Sequence, residues 1–318
     1  MINKKIREKL LHLTKISKIG LMKVVKDEIQ KMREDDLSHH TMIDYEAWYK
    51  DFNRFMYGYK HKNIGLNDST FGKDYINHLL SRGLSNSTIR KHWKNFMKII
   101  NSSGLVHDFN TKVLFRNLKT VRKEDVDFFL EERHVKDLIS YQTDDINIRR
   151  IVDRFLISCL TGCRKSEISS VRVCGEEGNE YLVYTMAKTK KDNAIPYINM
   201  IKPIIERGYY KEDLTAYGET NVNRVLKDVA GTFNWRGKVN KYLMYGKKRK
   251  KRTLEKSQAI SFHDGRRFYG KMLLDRGMSI YKVSKLMGHA NVEMTIKCYG
   301  FLNKNKMMDE AKDLLNNF

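Results

Sequence analysis

Aromatic and aliphatic residues recur at the spacing of an α-helix in two segments of the N-terminal third. The first segment follows Ser38, which can cap a helix, and its stripe consists of Tyr45, Trp48, Phe52 and Phe55. The second is opened by Asn86 or Ser87, and its stripe consists of Ile89, Trp93, Phe96, Met97 and Ile100. The sequence therefore predicts a helical domain over residues 37–110, preceded by a helical arm over residues 1–36.

The C-terminal part combines helical patterns with one strand signature. Apolar residues alternate between Tyr181 and Met186, a polar turn follows at residues 189–193, and the chain returns through residues 194–197, which is typical of a β-hairpin. Residues 111–127 are dense in Lys, Arg and Asp and are interpreted as a linker. Beyond residue 197 the pattern predicts helices, interrupted by a basic loop over residues 247–252. We therefore expect a mainly α chain whose second domain, residues 128–318, is of mixed α+β type with a small hairpin or sheet.

The formal net charge is +23, with 61 Lys and Arg residues against 38 Asp and Glu. Such an excess is large for an enzyme of small metabolites and favours a polyanionic partner, with DNA or RNA as the first choice. An anionic membrane surface is the alternative partner, but binding to it would require a long basic amphipathic helix or an apolar anchor. No run of about 18 apolar residues occurs. The N-terminus also lacks the apolar core of a signal peptide, so we expect no membrane partner.

Cysteine usage indicates a reducing compartment. The chain has four cysteines, Cys159, Cys163, Cys174 and Cys298, without a Cys-x-x-Cys pair or a zinc-type spacing with histidine. We therefore expect no metal site and a cytoplasmic, nucleoid-associated protein.

Several groups of basic residues are candidates for contacts to nucleic acid. The alternative for each group is a solvated charged surface without a partner. The candidates are Arg90, Lys91, Lys94 and Lys98 beside the second apolar stripe, Lys190 and Lys191 in the hairpin turn, Lys247, Lys248, Arg249, Lys250, Lys251 and Arg252 in the basic loop, and Arg267. The high net charge favours phosphate contacts over the solvated alternative.

A separate set of residues could act on a phosphodiester. Attack on this anionic group requires cations around the non-bridging oxygens, a proton acceptor for the nucleophile and a proton donor for the leaving oxygen. The candidates are Arg164, Lys188, His263, Arg266, His289 and Tyr299. Together they supply two guanidiniums, an ammonium, two imidazoles and a phenol.

Three candidates, Arg164, His263 and Arg266, have structural alternatives. Arg164 follows Gly162 at a predicted helix start, where it could grip a phosphate, or it could simply pair with Glu167 on one helical face. His263 and Arg266 are three residues apart, so a helix would place both on one face, although this spacing alone occurs often by chance.

The other three candidates are individually weak. Lys188 lies near the hairpin tip, where the alternative is a solvated turn. His289 follows Gly288 in a predicted loop and could be structural. Tyr299 is one of 17 tyrosines. The inference therefore depends on the whole set and not on any single member.

In their order and spacing, these motifs resemble the catalytic domain of the tyrosine recombinases, the phage integrase family. The matching runs are Thr161–Glu167 around Arg164, Lys188–Pro196 as the family hairpin, Ser261–Arg267 with a His-x-x-Arg motif, and Leu286–His289. The offset of Lys188 from Arg164 selects it over Lys190 and Lys191. Residues 37–104 resemble, more loosely, the all-helical, SAM-like core-binding domain of the family.

Two departures from the family pattern are visible. Tyr299 falls at the place of the family nucleophile, but it follows His289 by ten residues, where family members usually have nine. Arg267 stands where the family often has a second histidine. If the added residue is taken up in the loop at residues 290–291 or as a local bulge, a helix over residues 291–298 would still direct Tyr299 toward Arg164 and Arg266.

The resemblance implies a mechanism and a set of partners. Tyr299 would attack a phosphate of double-stranded DNA and form a 3′-phosphotyrosine, so that neither a metal, ATP nor another cofactor is needed. Arg164 and Arg266 would hold the phosphate, His263 would take the phenolic proton, Lys188 would protonate the leaving 5′-oxygen, and His289 would hydrogen-bond the phosphate.

The family further implies assembly and biological role. Four protomers would form a synapse on a specific site, with a C-terminal tail helix over residues 305–318 docked on a neighbour and with possible DNA-bending or directionality proteins. We therefore expect a site-specific recombinase, an integrase of a phage or other mobile element. The alternatives are a nicking-closing enzyme of the type IB topoisomerase kind and a non-catalytic DNA-binding regulator with the same fold.

Overall fold

The computed structural model describes residues 15–35, 37–66, 69–121, 128–212 and 218–299. It divides into two compact units, the first formed by Met1–Val121 with Tyr242–Lys251 and the second by Arg122–Lys241 with Arg252–Phe318. In the described part of the chain, no helix is long and apolar enough to span a bilayer. The predicted tail helix over residues 305–318 lies outside the described residues.

The first unit is helical. Its elements are β1 (Lys15–Ser17), α1 (Lys18–Glu34), α2 (His39–Gly58), β2 (Asn63–Gly65), α3 (Ser69–Ser81), α4 (Asn86–Ser102) and α5 (Thr111–Leu114). The two short strands pair antiparallel, with Ile16 opposite Ile64. The two helices predicted from the aromatic stripes are therefore confirmed as α2 and α4.

The predicted stripes meet in an aromatic core. The rings of Trp48 and Phe52 on α2 stack with centroids 5.1 Å apart, and Phe52 lies 5.6 Å from Phe96 on α4. Residues 111–118, which the sequence assigned to a linker, contribute Leu114 and Leu118 to the same core. Aromatic pairs of this kind add directional contacts to the burial of apolar surface, and so fix how the helices pack.

Helix starts in this unit differ in detail from the sequence expectation. Ser38 precedes α2 without capping it, and its hydroxyl instead lies 2.8 Å from the Thr41 hydroxyl. Ser85 caps α4 by accepting a hydrogen bond from the Thr88 backbone. The Asn86 side chain therefore does not cap the helix and forms other hydrogen bonds.

Asn86 is buried and binds two backbone segments within the first unit. Its Nδ2 donates to the carbonyls of Lys119 and Gly246, each at 2.7 Å, and its Oδ1 accepts from the Gly246 N–H at 2.6 Å. One amide side chain therefore satisfies both polar groups of Gly246, and it fastens the segment Tyr242–Lys251 to the start of α4.

The second unit is of mixed type. Its elements up to residue 231 are α6 (Glu132–Ser140), α7 (Ile146–Thr161), a 3₁₀ helix (Lys165–Ser170), β3 (Arg172–Cys174), β4 (Tyr181–Thr185), β5 (Asp192–Pro196), α8 (Lys202–Arg207), a second 3₁₀ helix (Tyr209–Lys211) and α9 (Gly218–Gly231). After residue 231 the chain forms β6 (Lys238–Tyr245), β7 (Lys248–Glu255), α10 (Lys256–Ala259), α11 (His263–Asp275), α12 (Ile280–Leu286) and α13 (Val292–Tyr299). Residues Tyr242–Lys251 of β6 and β7 are part of the first unit.

The core of this unit surrounds α7. This helix is buried on nearly every side and packs along α11, while the antiparallel sheet β3-β4-β5 covers another part of the core. The predicted hairpin at residues 180–197 is confirmed, with Tyr184 opposite Asn193 in the register of β4 and β5. The mainly α fold class with a mixed second domain is confirmed as well.

Helices follow residue 197 as expected, but the prediction of a basic loop at residues 247–252 is wrong, because β6 and β7 form a second hairpin there. Gly246, with φ at +57°, occupies the first position of a two-residue turn, as a tight hairpin favours. Asn240 accepts a hydrogen bond across the strands from Thr253 at 3.0 Å, and Arg249 lies over the Tyr242 ring at 3.8 Å. Lys248–Arg252 therefore lie on an extended strand, and Lys247 lies in the turn before it.

Candidate active site

Arg164 is held at the entrance of a 3₁₀ helix by a buried carboxylate. It follows the C-terminus of α7 and forms the N-cap of the helix Lys165–Ser170. Glu167 accepts from the Arg164 backbone N–H at 2.9 Å through one oxygen and from Arg164 Nη1 at 2.8 Å through the other. The Arg164–Glu167 pair considered from the sequence is therefore present, and it orients the guanidinium.

The same carboxylate reaches the turn that carries Lys188. Glu167 Oε1 accepts a third hydrogen bond from the Ala187 backbone N–H at 3.2 Å. The turn closes through Lys190 N–H to the Met186 carbonyl at 2.9 Å, with Lys190 at a positive φ of 56°. Lys188 is exposed and directly follows Ala187, so its backbone lies next to the carboxylate that also binds Arg164.

Arg266 lies one turn after His263 on α11 and is almost completely buried. Its Nη1 donates to the Gly162 carbonyl at 2.6 Å and its Nη2 to the Met287 carbonyl at 2.7 Å. Burial and then the positive charge of Arg164 lower the pKa of Arg266. Two neighbouring guanidiniums in a partly desolvated site repel each other, and an anion between them would relieve that repulsion.

His263 is the first residue of α11 and its side chain is exposed. Partial desolvation lowers the pKa of His263 from its ordinary value of 6.5, and the charges of Arg266, Arg267 and Arg164 lower it further against the opposing charge of Asp264. The imidazole is therefore neutral at pH 7 and can accept a proton.

His289 lies in the loop between α12 and α13. Its backbone N–H donates to the Ser284 carbonyl at 3.0 Å, and its Nδ1 lies 2.7 Å from the Thr295 hydroxyl. Asn193 on β5 donates to the Leu286 carbonyl at 2.8 Å. This hydrogen bond joins the β4–β5 hairpin, whose turn carries Lys188, to the end of α12, which directly precedes the loop of His289.

Tyr299 ends α13 and is buried against α11. Its hydroxyl donates to the Arg266 carbonyl at 3.5 Å, and a Cβ built on Gly270 would lie only 2.7 Å from the phenol Cζ. Burial raises the pKa of Tyr299, while the charges of Arg266 and Arg267 oppose that rise. In this state the phenol is protonated, and the missing side chain of Gly270 makes room for it.

Between His289 and Tyr299 the chain forms a two-residue loop followed by α13. Residues Ala290 and Asn291 precede α13, which begins at Val292. Thr295 and Tyr299 are four residues apart and form the buried face of α13. The predicted helix is confirmed, and it places Tyr299 beside the backbone of Arg266.

The proposed DNA-contact residues occupy varied surroundings. Arg90 donates to the Leu118 carbonyl at 3.0 Å and covers the Phe115 ring, and Lys91 pairs with Asp44 at 2.8 Å. The exposed members are Lys91, Lys94, Lys98, Lys190, Lys191, Lys247, Lys248, Arg249, Lys250, Lys251 and Arg252. Arg267 is partly buried and pairs with Asp264 at 2.8 Å. Their role in DNA binding stays a prediction.

Metal-ligating side chains do not converge in the described ranges, where no group of three or more His, Cys, Asp or Glu residues could hold an ion. The cationic groups of the site are instead the side chains of Arg164, Lys188 and Arg266. Asn193, Gly270 and Thr295 contribute to the site through tertiary contacts that no local sequence pattern signals.

Comparison with protein families matches both units. Residues 128–306 match the phage integrase family, and residues 20–103 match the phage integrase SAM-like domain. The first match covers more than half of the chain and contains every candidate catalytic residue.

The chain belongs to the phage integrase family. It is therefore an enzyme of the tyrosine type of site-specific recombinase. This tyrosine recombinase is 24% identical over 296 residues to a XerC-like tyrosine recombinase of Caldanaerobacter subterraneus subsp. tengcongensis, covering 81% of this chain and 73% of the relative. It is also 24% identical over 264 residues to the tyrosine recombinase XerC of Staphylococcus carnosus, covering 81% and 85%.

The fold of the recombinase is similar to a solved integrase structure. The Tn1549 transposon integrase, in complex with transposon right end DNA, superposes with a TM-score of 0.59 at 15% identity, covering 92% of this chain and 99% of the other. At this identity the likeness concerns the fold, which agrees with the two units described above.

Proposed function

We propose that this recombinase cuts and rejoins double-stranded DNA at a specific site as the integrase of a mobile element. The observation that carries the proposal is the convergence of Arg164, the buried Arg266 and His263, with the phenol of Tyr299 against the Arg266 backbone. Such a site suits a single phosphodiester, because the two guanidiniums can take its non-bridging oxygens.

Strand cleavage begins when the Tyr299 oxygen attacks phosphorus. The phenolic proton passes to the neutral His263, the bond from phosphorus to the 5′-oxygen breaks, and Lys188 protonates that oxygen. His289 donates a hydrogen bond to a non-bridging oxygen. The products are a 3′-phosphotyrosine and a free 5′-hydroxyl.

Rejoining reverses these steps with a 5′-hydroxyl from the partner strand. The phosphotyrosine ester conserves the free energy of the broken phosphodiester, so rejoining requires no ATP. The phenol must first leave the Arg266 carbonyl, because a buried, protonated hydroxyl is a poor nucleophile.

DNA is the proposed partner for two reasons. The net charge of +23 favours a polyanion, and the strand β7 presents a row of exposed basic residues. The solved Tn1549 integrase was captured with transposon DNA, which is consistent with the same substrate class here. A four-protomer synapse and accessory DNA-bending proteins belong to the same proposal.

A suicide substrate tests the chemistry. A half-site nicked so that the short strand with its 5′-hydroxyl diffuses away should trap the protein on DNA through a bond that survives boiling in detergent. Tyr299→Phe should bind the same DNA and form no adduct. Tyr281→Phe is the matched control, because Tyr281 is 60% exposed and should trap like the unaltered protein.

The outcomes separate the alternatives. An adduct that persists in Tyr299→Phe and maps to another residue would overturn the nucleophile assignment. Binding without any adduct from the unaltered protein would favour the non-catalytic regulator. Relaxation of supercoils at random sites, with no recombinant junctions found by deep sequencing, would favour the topoisomerase-like activity over integration.

A further inference from the structure

We propose that Thr295 is a positioning residue that sets the tautomer of His289. The inference rests on the proposed function, in which His289 hydrogen-bonds the scissile phosphate. The Thr295 side chain is fully buried, and its hydroxyl oxygen lies 2.7 Å from His289 Nδ1. The contact is therefore protected from water and short enough to fix the ring.

The chemistry of the imidazole explains why this contact matters. A neutral imidazole carries its proton on one nitrogen only, and the hydrogen bond at one nitrogen selects the proton position at the other. When the Thr295 hydroxyl donates to Nδ1, the proton of His289 resides on Nε2. The ring then offers an N–H to an anionic oxygen while it remains uncharged.

The backbone of the loop supports the same geometry. The His289 N–H is bound to the Ser284 carbonyl at 3.0 Å, so the ring pivots about a fixed main chain. Thr295 stands one turn before Tyr299 on the buried face of α13. Thr295 therefore holds the His289 ring in a fixed position relative to the helix that carries the nucleophile.

Charged groups surround this loop on several sides. Arg266 donates to the Met287 carbonyl, the Tyr184 phenol lies near Gly288, and Lys285 is exposed on α12 over the Tyr281 ring. Glu293 and Lys297 pair with each other at 3.7 Å on the exposed side of α13. The group that lies 2.7 Å from Nδ1 is the neutral hydroxyl of Thr295.

Kinetics provide the first test. Thr295→Val removes the hydroxyl at nearly constant volume and should slow adduct formation on the suicide substrate by about tenfold to a hundredfold at pH 7.5. Thr295→Ser keeps the hydroxyl and should recover most of the rate. In a His289→Ala background, Thr295→Val should have no further effect.

The pH profile distinguishes positioning from packing. A protonated imidazole carries hydrogen on both nitrogens, so the rate difference between Thr295→Val and the unaltered protein should narrow as His289 becomes protonated, which its ¹⁵N shifts report. An equal deficit at every pH, or an unaltered rate at pH 7.5, would overturn the assignment.

A spectroscopic measurement is independent of the chemistry on DNA. The ¹⁵N shifts of His289 in the full-length protein should report a proton on Nε2, and Thr295→Val should shift the population toward Nδ1–H. If the unaltered protein forms no adduct, the proposed function fails while the tautomer shift still decides the role of Thr295. An unshifted tautomer in an active protein rejects the positioning role alone.

Discussion

The carboxylate of Glu167 joins Arg164 to the turn that carries Lys188. Its two oxygens accept from the Arg164 backbone, from the Arg164 guanidinium and from the Ala187 backbone, at distances between 2.8 and 3.2 Å. Because the side chain is fully buried, all three hydrogen bonds are shielded from water. The two proposed phosphate-handling cations are therefore positioned by one group.

We expect Glu167→Gln to impair cleavage more than DNA binding. The amide presents N–H groups where the carboxylate accepted, so at least one donor of Arg164 or Ala187 loses its partner, at a cost of about 1–3 kcal/mol. The rate of adduct formation should fall by about tenfold or more. Glu132→Gln is the control, because Glu132 forms an exposed pair with Arg276 at a similar distance of 2.7 Å. Equal effects of the two substitutions would argue against the positioning role.

Gly270→Ala should displace the phenol of Tyr299. The new methyl group would lie 2.7 Å from Cζ and 2.8 Å from the phenol oxygen, closer than such atoms can approach. Tyr299 should then be nitrated by tetranitromethane faster, as measured by peptide mapping. Gly58→Ala provides the comparison, because a Cβ on Gly58 in α2 would meet no atom within 4 Å. An unaltered nitration rate at Tyr299 would show that the niche can expand around the methyl group.

The pH dependence of cleavage should follow His263. Its pKa lies below the ordinary 6.5, and the neutral form is the proposed proton acceptor. The rate should therefore be maintained at pH 7 and should fall as the pH drops through that lowered pKa. Since protonation is disfavoured in the folded state, the contribution of His263 to stability should be lost in the same acidic range. In His263→Gln the acid limb of the rate profile should disappear, and its persistence would point to another base.

Lys188→Ala should be slow on ordinary DNA and rescued on DNA with a 5′-bridging phosphorothiolate. A thiolate leaves without a proton, so the general acid becomes dispensable. Lys190→Ala and Lys191→Ala are the matched comparisons, since both lie in the same exposed turn. Rescue seen for Lys190→Ala and not for Lys188→Ala would transfer the role two residues along the turn.

Neutralising one face of β7 should weaken the salt dependence of DNA binding. Lys248, Lys250 and Arg252 alternate along the strand and share one face. If all three contact phosphate, their replacement by glutamine should reduce the slope of log K against log salt by about three units at most. Circular dichroism checks that the hairpin persists. A slope that does not change would identify the strand as a solvated charged surface.

Local periodicity predicted part of the fold, and spacing between motifs predicted the candidate catalytic set. The aromatic steps around Trp48 and Trp93 correspond to α2 and α4, and the alternation after residue 180 corresponds to β4 and β5. The hairpin of β6 and β7 was missed because basic residues on both faces leave no apolar alternation to read. A run of charge indicated solvent exposure correctly but not the backbone conformation.

Other features depend on contacts between distant residues. Asn86 and Gly246 are separated by 160 positions, and no pattern around either of them predicts the contact. The role of Gly270 follows from the phenol that packs on it, which requires the packing of α13 on α11. Arg164 could be assigned a partner from the sequence, but the third hydrogen bond of Glu167 could not.

The two carbonyls bound by Arg266 make this residue an ambiguous marker of activity among relatives. It fastens the segment at Gly162 to the segment at Met287, so it would be retained in a descendant that kept the architecture and abandoned strand transfer. Lys188, in contrast, is exposed, and Tyr299 fills a niche that another ring could occupy. Loss of these two residues, with Arg266 intact, is therefore the signature by which a degenerate, DNA-binding copy could be recognised.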